Sequence, residues 1–510
     1  MKRLLSVLLF AFIATILIGC YGFTLTGTSE DEVMTISQEE ITSEELTRED
    51  VTTEAPTTQV PTTEEPTTET PTTDVSTTEH TTEINQSFVP EGYSLLQDEL
   101  DTYGIPSMGD VNILVFAIDF PDSPYTTDQP SVLDIETAFN GSSDDLDFES
   151  VRSYYQLSSY NQLNLNADVF GYYTMSENAS YYQAENEKYM AIDPVTGEYV
   201  YDDSEVTHVE SDIIYELLTH YDDQINYSDY DGNNDGYIDG IYLVYNHPSD
   251  SENDLWWAYQ YNYSYTDTFD GVSPDYYMWA SNDFLDEGDD DINARTFIHE
   301  TGHMMGLDDY YDYSYEDNYN TGGLGTYMMD YNVGDHDPFS KILLGWIKPI
   351  VIQASSTLDI SPHLENGDVL LIIDKWNGTI FDEYLLVSYY TPNGINGYDP
   401  DFIFTESGIN IFHISAQIGN GYLDDSYYYS IFNNNNTDTQ NKLINIIEAD
   451  MNEKIEEFQM IENSDLFQAG NILGEDIYPN YQWYDNLPLG FTISVDSVST
   501  EAATITIIFE

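Results

Sequence analysis

Residues 299–309 read His-Glu-Thr-Gly-His-Met-Met-Gly-Leu-Asp-Asp, and no other stretch of this 510-residue chain restricts its own local fold so tightly. His299 and His303 are four apart, so on a helix they lie one turn from each other on the same face, where two imidazoles can grip one zinc ion. Glu300 is then placed to take a proton from a water that such an ion activates. Gly306 is expected to leave the helix with positive φ, turning the chain so that Asp309 comes back to the metal as an oxygen ligand. The lead-in supports a helix: apolar residues recur between Ile292 and Ile298, after an acidic run Asp289–Asp291 suited to a helix N-terminus. Asp308, just before Asp309, is the alternative for the third position or a partner to it. His336, in Gly-Asp-His-Asp, is a further candidate at the edge.

The N-terminus indicates where such chemistry would operate. Met1-Lys2-Arg3 precedes an apolar run from Leu4 to Gly19, the pattern of a secretory signal, and the run ends in Leu17-Ile18-Gly19-Cys20. That ending resembles the lipobox of bacterial lipoproteins, in which cleavage leaves the cysteine thiol to carry a lipid. Cys20 is the single cysteine of the chain, so no intramolecular disulfide can form. We therefore expect a signal peptide over 1–19 and a protein tethered through Cys20 to the extracellular face of a bacterial cell membrane. A Thr/Glu/Pro-rich stalk follows over 20–89, with Pro56, Pro61, Pro66 and Pro71 recurring every five residues. Such a composition cannot bury enough apolar surface to offset the entropy of ordering.

Charge excludes some partners. Asp plus Glu number 94 against 11 Lys plus Arg, a formal net charge of −83. Nucleic acid needs a basic face and is not an expected partner. Self-repulsion on this scale favours surroundings rich in salt or divalent cations.

One acidic stretch is more specific. In Asp231-Gly-Asn233-Asn-Asp235-Gly236-Tyr237-Ile238-Asp239, side-chain oxygens recur at alternate positions and a glycine falls at the sharp turn, matching the first nine positions of an EF-hand-type calcium loop. Asp231, Asn233, Asp235, the Tyr237 carbonyl and Asp239 are the expected calcium ligands. Tyr242 stands where the bidentate Glu is needed, so the site is incomplete or finished from elsewhere, with Asp229 one candidate.

Taken together, Val111–Asp122 with its Phe-Pro-Asp turn, Ser153–Tyr160, the Asp-rich loop leading into Ile241–Tyr245, the 299–309 motif, Gly325–Asn332 and Ser340–Trp346 resemble the immune inhibitor A family of secreted bacterial zinc metallopeptidases, a branch similar to the metzincins. The likeness extends over most of residues 110–350. It implies an α+β catalytic domain over 90–349, in which a mixed sheet carries the active-site helix. It also implies zinc on His299, His303 and Asp309, with Glu300 as general base and protein or peptide substrates. The family's methionine turn corresponds to Met329, preferred over Met328 because Asp330-Tyr331 follows it; methionine gives a soft floor beneath a metal. Tyr331 is the candidate to reach the metal or the tetrahedral intermediate with its hydroxyl.

Beyond Ile350 the pattern changes to short alternating strands, among them Val369–Ile373, Tyr384–Ser388, Gly408–Phe412 and Ala503–Phe509. A β-sandwich-like region over 350–510 is expected. Two classes of function follow: an active surface-anchored zinc endopeptidase, or an inactive peptidase scaffold serving as an adhesin or binding module. An inactive descendant has no chemical need for Glu300 between both histidines, which favours the enzyme.

Overall fold

Strand Gly109–Asp119 (β1) is apolar without a break from Ile113 to Ile118, and both faces of that run are buried. Ile113, Val115 and Ala117 join one hydrophobic cluster, while Leu114, Phe116 and Ile118 join another. Continuous apolar runs of this kind suit a strand covered on both sides in a parallel sheet. β1 pairs in parallel with β2 (Leu163–Thr174) and β3 (Ile241–Tyr245). β4 (Tyr259–Asn262) lies at one edge, antiparallel to β5 (Tyr276–Ser281), and the order is β2-β1-β3-β5-β4.

The computed structural model describes residues 104–510, except 193–198, 202–208, 252, 254, 287–291, 312–323, 399–402, 418–431, 433–435, 437–440, 453–454, 456–460 and 475–480. The signal, Cys20, the stalk and the Asp289–Asp291 run lie outside the described residues. No helix among those described is long and apolar enough to cross a membrane.

Helices cover both faces of the first sheet. On one side lie α1 (Val132–Asn140) and α2 (Val151–Ser158), each opened by a serine capping box. On the other lie α3 (Ala179–Tyr189) and α4 (Val209–Tyr221), whose Ile213, Ile214, Leu217 and Leu218 are buried. The helix carrying the motif, α5 (Arg295–Met304), packs on the α1 side. It begins at Arg295, three residues later than the apolar lead-in suggests, with the Arg295 N–H donating to Asn293 Oδ1 at 2.9 Å. A four-residue turn of helix, α6 (Met328–Tyr331), and α7 (Pro338–Leu343), capped by Asp337, follow.

The rest of the chain forms two further sheets. One contains β6 (Ile350–Ile352), β8 (Val369–Ile372), β9 (Glu383–Tyr390), β10 (Gly408–Ser415) and β11 (Ile444–Ile446). The other contains β7 (Ser356–Ile360), β12 (Ile472–Leu473), β13 (Phe491–Val498) and β14 (Ala503–Phe509). The first is mixed, with β6 parallel to β8 and the remaining pairs antiparallel; the second is antiparallel throughout. The architecture is therefore mixed α/β with several mixed sheets, compatible with an α+β fold. Leu370, Val387 and Ile411 share one core with Ile493, Ile505 and Ile507 of the antiparallel sheet. Alternate residues of the same strands, Leu371, Leu386 and Phe412, belong to the core that contains Met329 and Phe339. Apolar packing is thus continuous from the motif helix into the second half of the chain.

Candidate metal centre

Helix α5 is held against the first sheet by hydroxyls as well as apolar side chains. Thr301 Oγ1 lies 2.8 Å from Tyr242 Oη on β3 and donates to the Phe297 carbonyl, while Tyr155 Oη donates to the Ile298 carbonyl. The helix ends in a Schellman turn: Gly306 N–H bonds to the His303 carbonyl at 2.9 Å and Leu307 N–H to the Gly302 carbonyl at 3.0 Å. Gly306 has φ +88°, as its place in the motif predicts. This reversal returns Asp309 to the histidines.

His299 Nε2 lies 2.9 Å and His303 Nε2 3.2 Å from Asp309 Oδ1, and the two Nε2 atoms are 3.1 Å apart. The far sides of both rings are tied to main-chain oxygens. His299 Nδ1 sits 2.8 Å from the Met328 carbonyl and His303 Nδ1 2.8 Å from the Leu307 carbonyl. A carbonyl only accepts, so each Nδ1 carries the hydrogen, and in the neutral ring each Nε2 presents a lone pair. Three acceptor atoms facing one another at these distances need a proton or a cation among them. The circle through them has a radius of roughly 1.8 Å, inside the zinc–ligand distance of about 2.0–2.1 Å, so one ion above their plane reaches all three. The donor set, two imidazole nitrogens and a carboxylate, with outer hydrogen bonds fixing both tautomers, fits zinc. Between Asp308 and Asp309 the geometry selects Asp309: it belongs to the cluster, whereas Asp308 does not.

The electrostatics agree. Burial opposes a charge on His303, yet the Asp309 carboxylate, with Glu300 behind it, pushes its pKa up to about 10. Burial by itself would raise Asp309, but the two imidazoles hold it well below the usual carboxylate range. Glu300, in the same helix and buried, is raised by burial, while both histidines pull the other way.

Beneath the cluster, Met329 is fully buried, and a Cβ placed on Gly302 would lie 2.5 Å from its Sδ. The glycine of the motif is thus the point where the thioether meets the helix. The two methionines divide the work, since the Met328 carbonyl orients His299 and the Met329 carbonyl accepts the Tyr310 N–H at 2.9 Å. Tyr331 stands two residues beyond Met329, partly exposed, and burial with the Asp330 charge keeps its hydroxyl protonated. His336 is wholly buried against the Tyr154, Tyr155 and Trp346 rings, which makes it a packing residue behind Gly302. Next to it, a buried ion pair joins Lys341 to Asp335, and Asp335 also accepts from Ser158 Oγ at 2.6 Å. The Asp335 carbonyl in turn receives the Met328 N–H at 3.3 Å.

The Asp-rich loop is organised differently. Asp231 accepts the N–H groups of Asp235 and Gly236 at 3.0 and 3.1 Å, Asn233 Oδ1 that of Asp235 at 3.1 Å, and Asp235 that of Tyr237 at 2.8 Å. Asp239 reaches back to Gly232 N–H at 2.9 Å. Gly236 has φ +95°, as a loop of this kind needs. Asp229, by contrast, faces Asn226 at 2.8 Å. Asp275 is the additional acid near Asp235: burial, helped by the Asp235 charge, raises it to about 6. Sequence reasoning missed Asp275 because it lies 36 positions past Asp239, outside any loop pattern. It also missed Glu448, Asp450 and Asp465, which place one carboxylate oxygen each within 4.8 Å of one another. Among the described residues these two clusters are the only such groups of His, Cys, Asp and Glu, and the 231–239 loop forms no third.

No family model matches this chain, and no curated protein matches it.

Proposed function

We propose that this chain is a zinc-dependent endopeptidase, held by a lipid on Cys20 at the extracellular face of the bacterial membrane and acting on extracellular proteins or peptides. One observation carries the reading: His299, His303 and Asp309 turn three lone pairs toward one point, both tautomers being fixed from behind, with Glu300 buried alongside. The parallel sheet with its antiparallel edge, α5 on one face and Met329 under the helix support a metzincin-like catalytic domain. The core shared by the last two sheets supports a β-sandwich-like region after it.

Zinc, when bound, supplies a Lewis acid that polarises a peptide carbonyl and lowers the pKa of a water. Glu300 would act as the general base, taking a proton from the attacking water and passing it to the leaving amine. Asp309 and the Nδ1-anchored imidazoles keep the three ligand atoms in place throughout, so little reorganisation accompanies the reaction. Tyr331, with its hydroxyl protonated, is the candidate hydrogen-bond donor to the developing oxyanion.

We further assign calcium to the 231–239 loop, with Asp231, Asn233, Asp235, the Tyr237 carbonyl and Asp239 as ligands. The support is the ligand pattern, the turn at Gly236 and the crowding of carboxylates that a divalent cation would relieve.

The test is Glu300→Gln. We expect zinc content to match wild type and casein cleavage to fall by roughly 10²–10⁴-fold or more, the range spanned by a lost general base. Cleavage near the wild-type rate in a zinc-loaded variant refutes the assignment, and a wild-type protein that binds zinc without cleaving any peptide leaves the binding-module reading in its place.

A further inference from the structure

We propose that two buried asparagines of the second half of the chain, Asn410 and Asn436, are positioning residues for the three-ligand cluster, acting through Tyr327 and Tyr310. The proposal rests on the zinc reading above.

Two main-chain groups next to the cluster decide where its ligands point. One is the Met328 carbonyl, which orients His299. It follows Tyr327, whose φ of 80° and ψ of 164° lie in a region essentially reserved for glycine. A tyrosine persists there only if its surroundings hold it, and the contacts holding its ring come from the second half. Asn410 Nδ2 on β10 donates to Tyr327 Oη at 2.7 Å, and Phe412, two residues along the same strand, packs on the ring at 5.9 Å between centroids. Tyr327 is nearly inaccessible to solvent, and so is Asn410.

The other is the peptide that joins Asp309 to Tyr310. Its far end is fixed at three points. Tyr310 N–H donates to the Met329 carbonyl at 2.9 Å, Tyr310 Oη meets Ser340 Oγ at 3.0 Å, and the Tyr310 carbonyl receives Asn436 Nδ2 at 2.8 Å. Asn436 is itself locked to β11: its Nδ2 donates to the Ile444 carbonyl at 2.9 Å and its Oδ1 accepts the Ile444 N–H at 3.2 Å. An amide with all of these contacts buried cannot turn away without leaving polar groups unpaired. The nitrogen ligand His299 and the oxygen ligand Asp309 are thus each braced, one step removed, by an asparagine more than 100 positions away in sequence.

Outer groups of this kind typically alter metal affinity by about 10–100-fold. The experiment is a competition of the full chain against a zinc chelator of known affinity, together with the visible spectrum of the Co²⁺-substituted protein. Tyr327→Phe removes only a hydroxyl, Asn436→Asp keeps the shape and the Ile444 N–H contact while losing both donated bonds, and Asn436→Ala removes the whole brace. Asn463→Ala serves as control, since Asn463 ties the Thr405–Glu406 turn in the same half of the chain. We expect Tyr327→Phe and both Asn436 variants to raise the zinc Kd about 10–100-fold and to shift the cobalt bands, with the control unchanged. If Asn436→Ala fails to fold, Tyr327→Phe and Asn436→Asp still decide. Variants that hold zinc within twofold of wild type, with the same cobalt spectrum, overturn this proposal while the peptidase reading stands. A wild-type chain that binds no zinc overturns both.

Discussion

At the end of α5 two imidazoles and a carboxylate turn their lone pairs on one another, whereas in the loop 231–239 each carboxylate turns onto a backbone N–H of its own loop. The difference is one of who satisfies whom. In the loop, backbone donors already neutralise part of the charge, so a cation adds to a structure that closes without it. In the cluster two backbone carbonyls accept from Nδ1 of each ring behind the ligands, and the three atoms that face one another in front are all acceptors. On the zinc and calcium readings proposed above, a cation completes the geometry of the first site and tunes the second.

The largest effect that distinguishes them is on zinc. Asp309→Ala should weaken zinc binding by more than about 100-fold, past the range of outer-shell changes, while Asp239→Ala should leave it unchanged. Chelator competition reads both values, and equal losses would end the contrast between the two centres. A middle-sized effect concerns the floor. Gly302→Ala forces a Cβ to within 2.5 Å of Met329 Sδ, and overpacking of this kind costs about 1–3 kcal/mol. Denaturant unfolding measures it, and pairing the change with Met329→Ala should recover much of the loss, because the two residues touch. Additive losses in the double variant would show that the methionine does not bear on the motif helix.

The smallest effect sharpens the other side. Burial, with the Asp235 and Asp231 charges, pushes Asp239 up to about 7. A carboxyl raised in the fold stabilises it when protonated, fully below its ordinary unfolded value, and that contribution is lost as pH rises through about 7. Calcium binds the ionised form and should recover the loss. The gain in Tm on adding calcium is therefore expected to be greater at pH 8 than at pH 6, by thermal melts at fixed ionic strength. A gain independent of pH, or none, would remove calcium from the loop.

What was legible in the sequence follows from how local the determinants are. His299, His303, Gly306 and Asp309 are set by helical spacing and one positive φ within eleven residues, so the pattern alone announces their meeting. The alternating apolar strands after Ile350 were legible for the same reason. The Met328 carbonyl, the hydroxyl pair Tyr242–Thr301 and the brace Asn436–Tyr310 were not, because each joins residues whose separation in sequence carries no period. Even the fourth residue of the motif, Gly302, has its reason in Met329, 27 positions on. The start of α5 falls later than the apolar residues from Ile292 suggest, because the helix begins only after Ala294, with Asn293 Oδ1 taking the Arg295 N–H.

The pairing of Lys341 with Asp335 has an outward consequence. Lys341 is fully enclosed, and Lys442 and Arg295 are almost so. With three of only eleven basic side chains withdrawn from solvent, the face presented to the medium is more uniformly negative than the composition alone implies. A field of one sign selects among approaching molecules before any pocket touches them: it draws in cationic peptides, holds off acidic ones, and fades as salt rises.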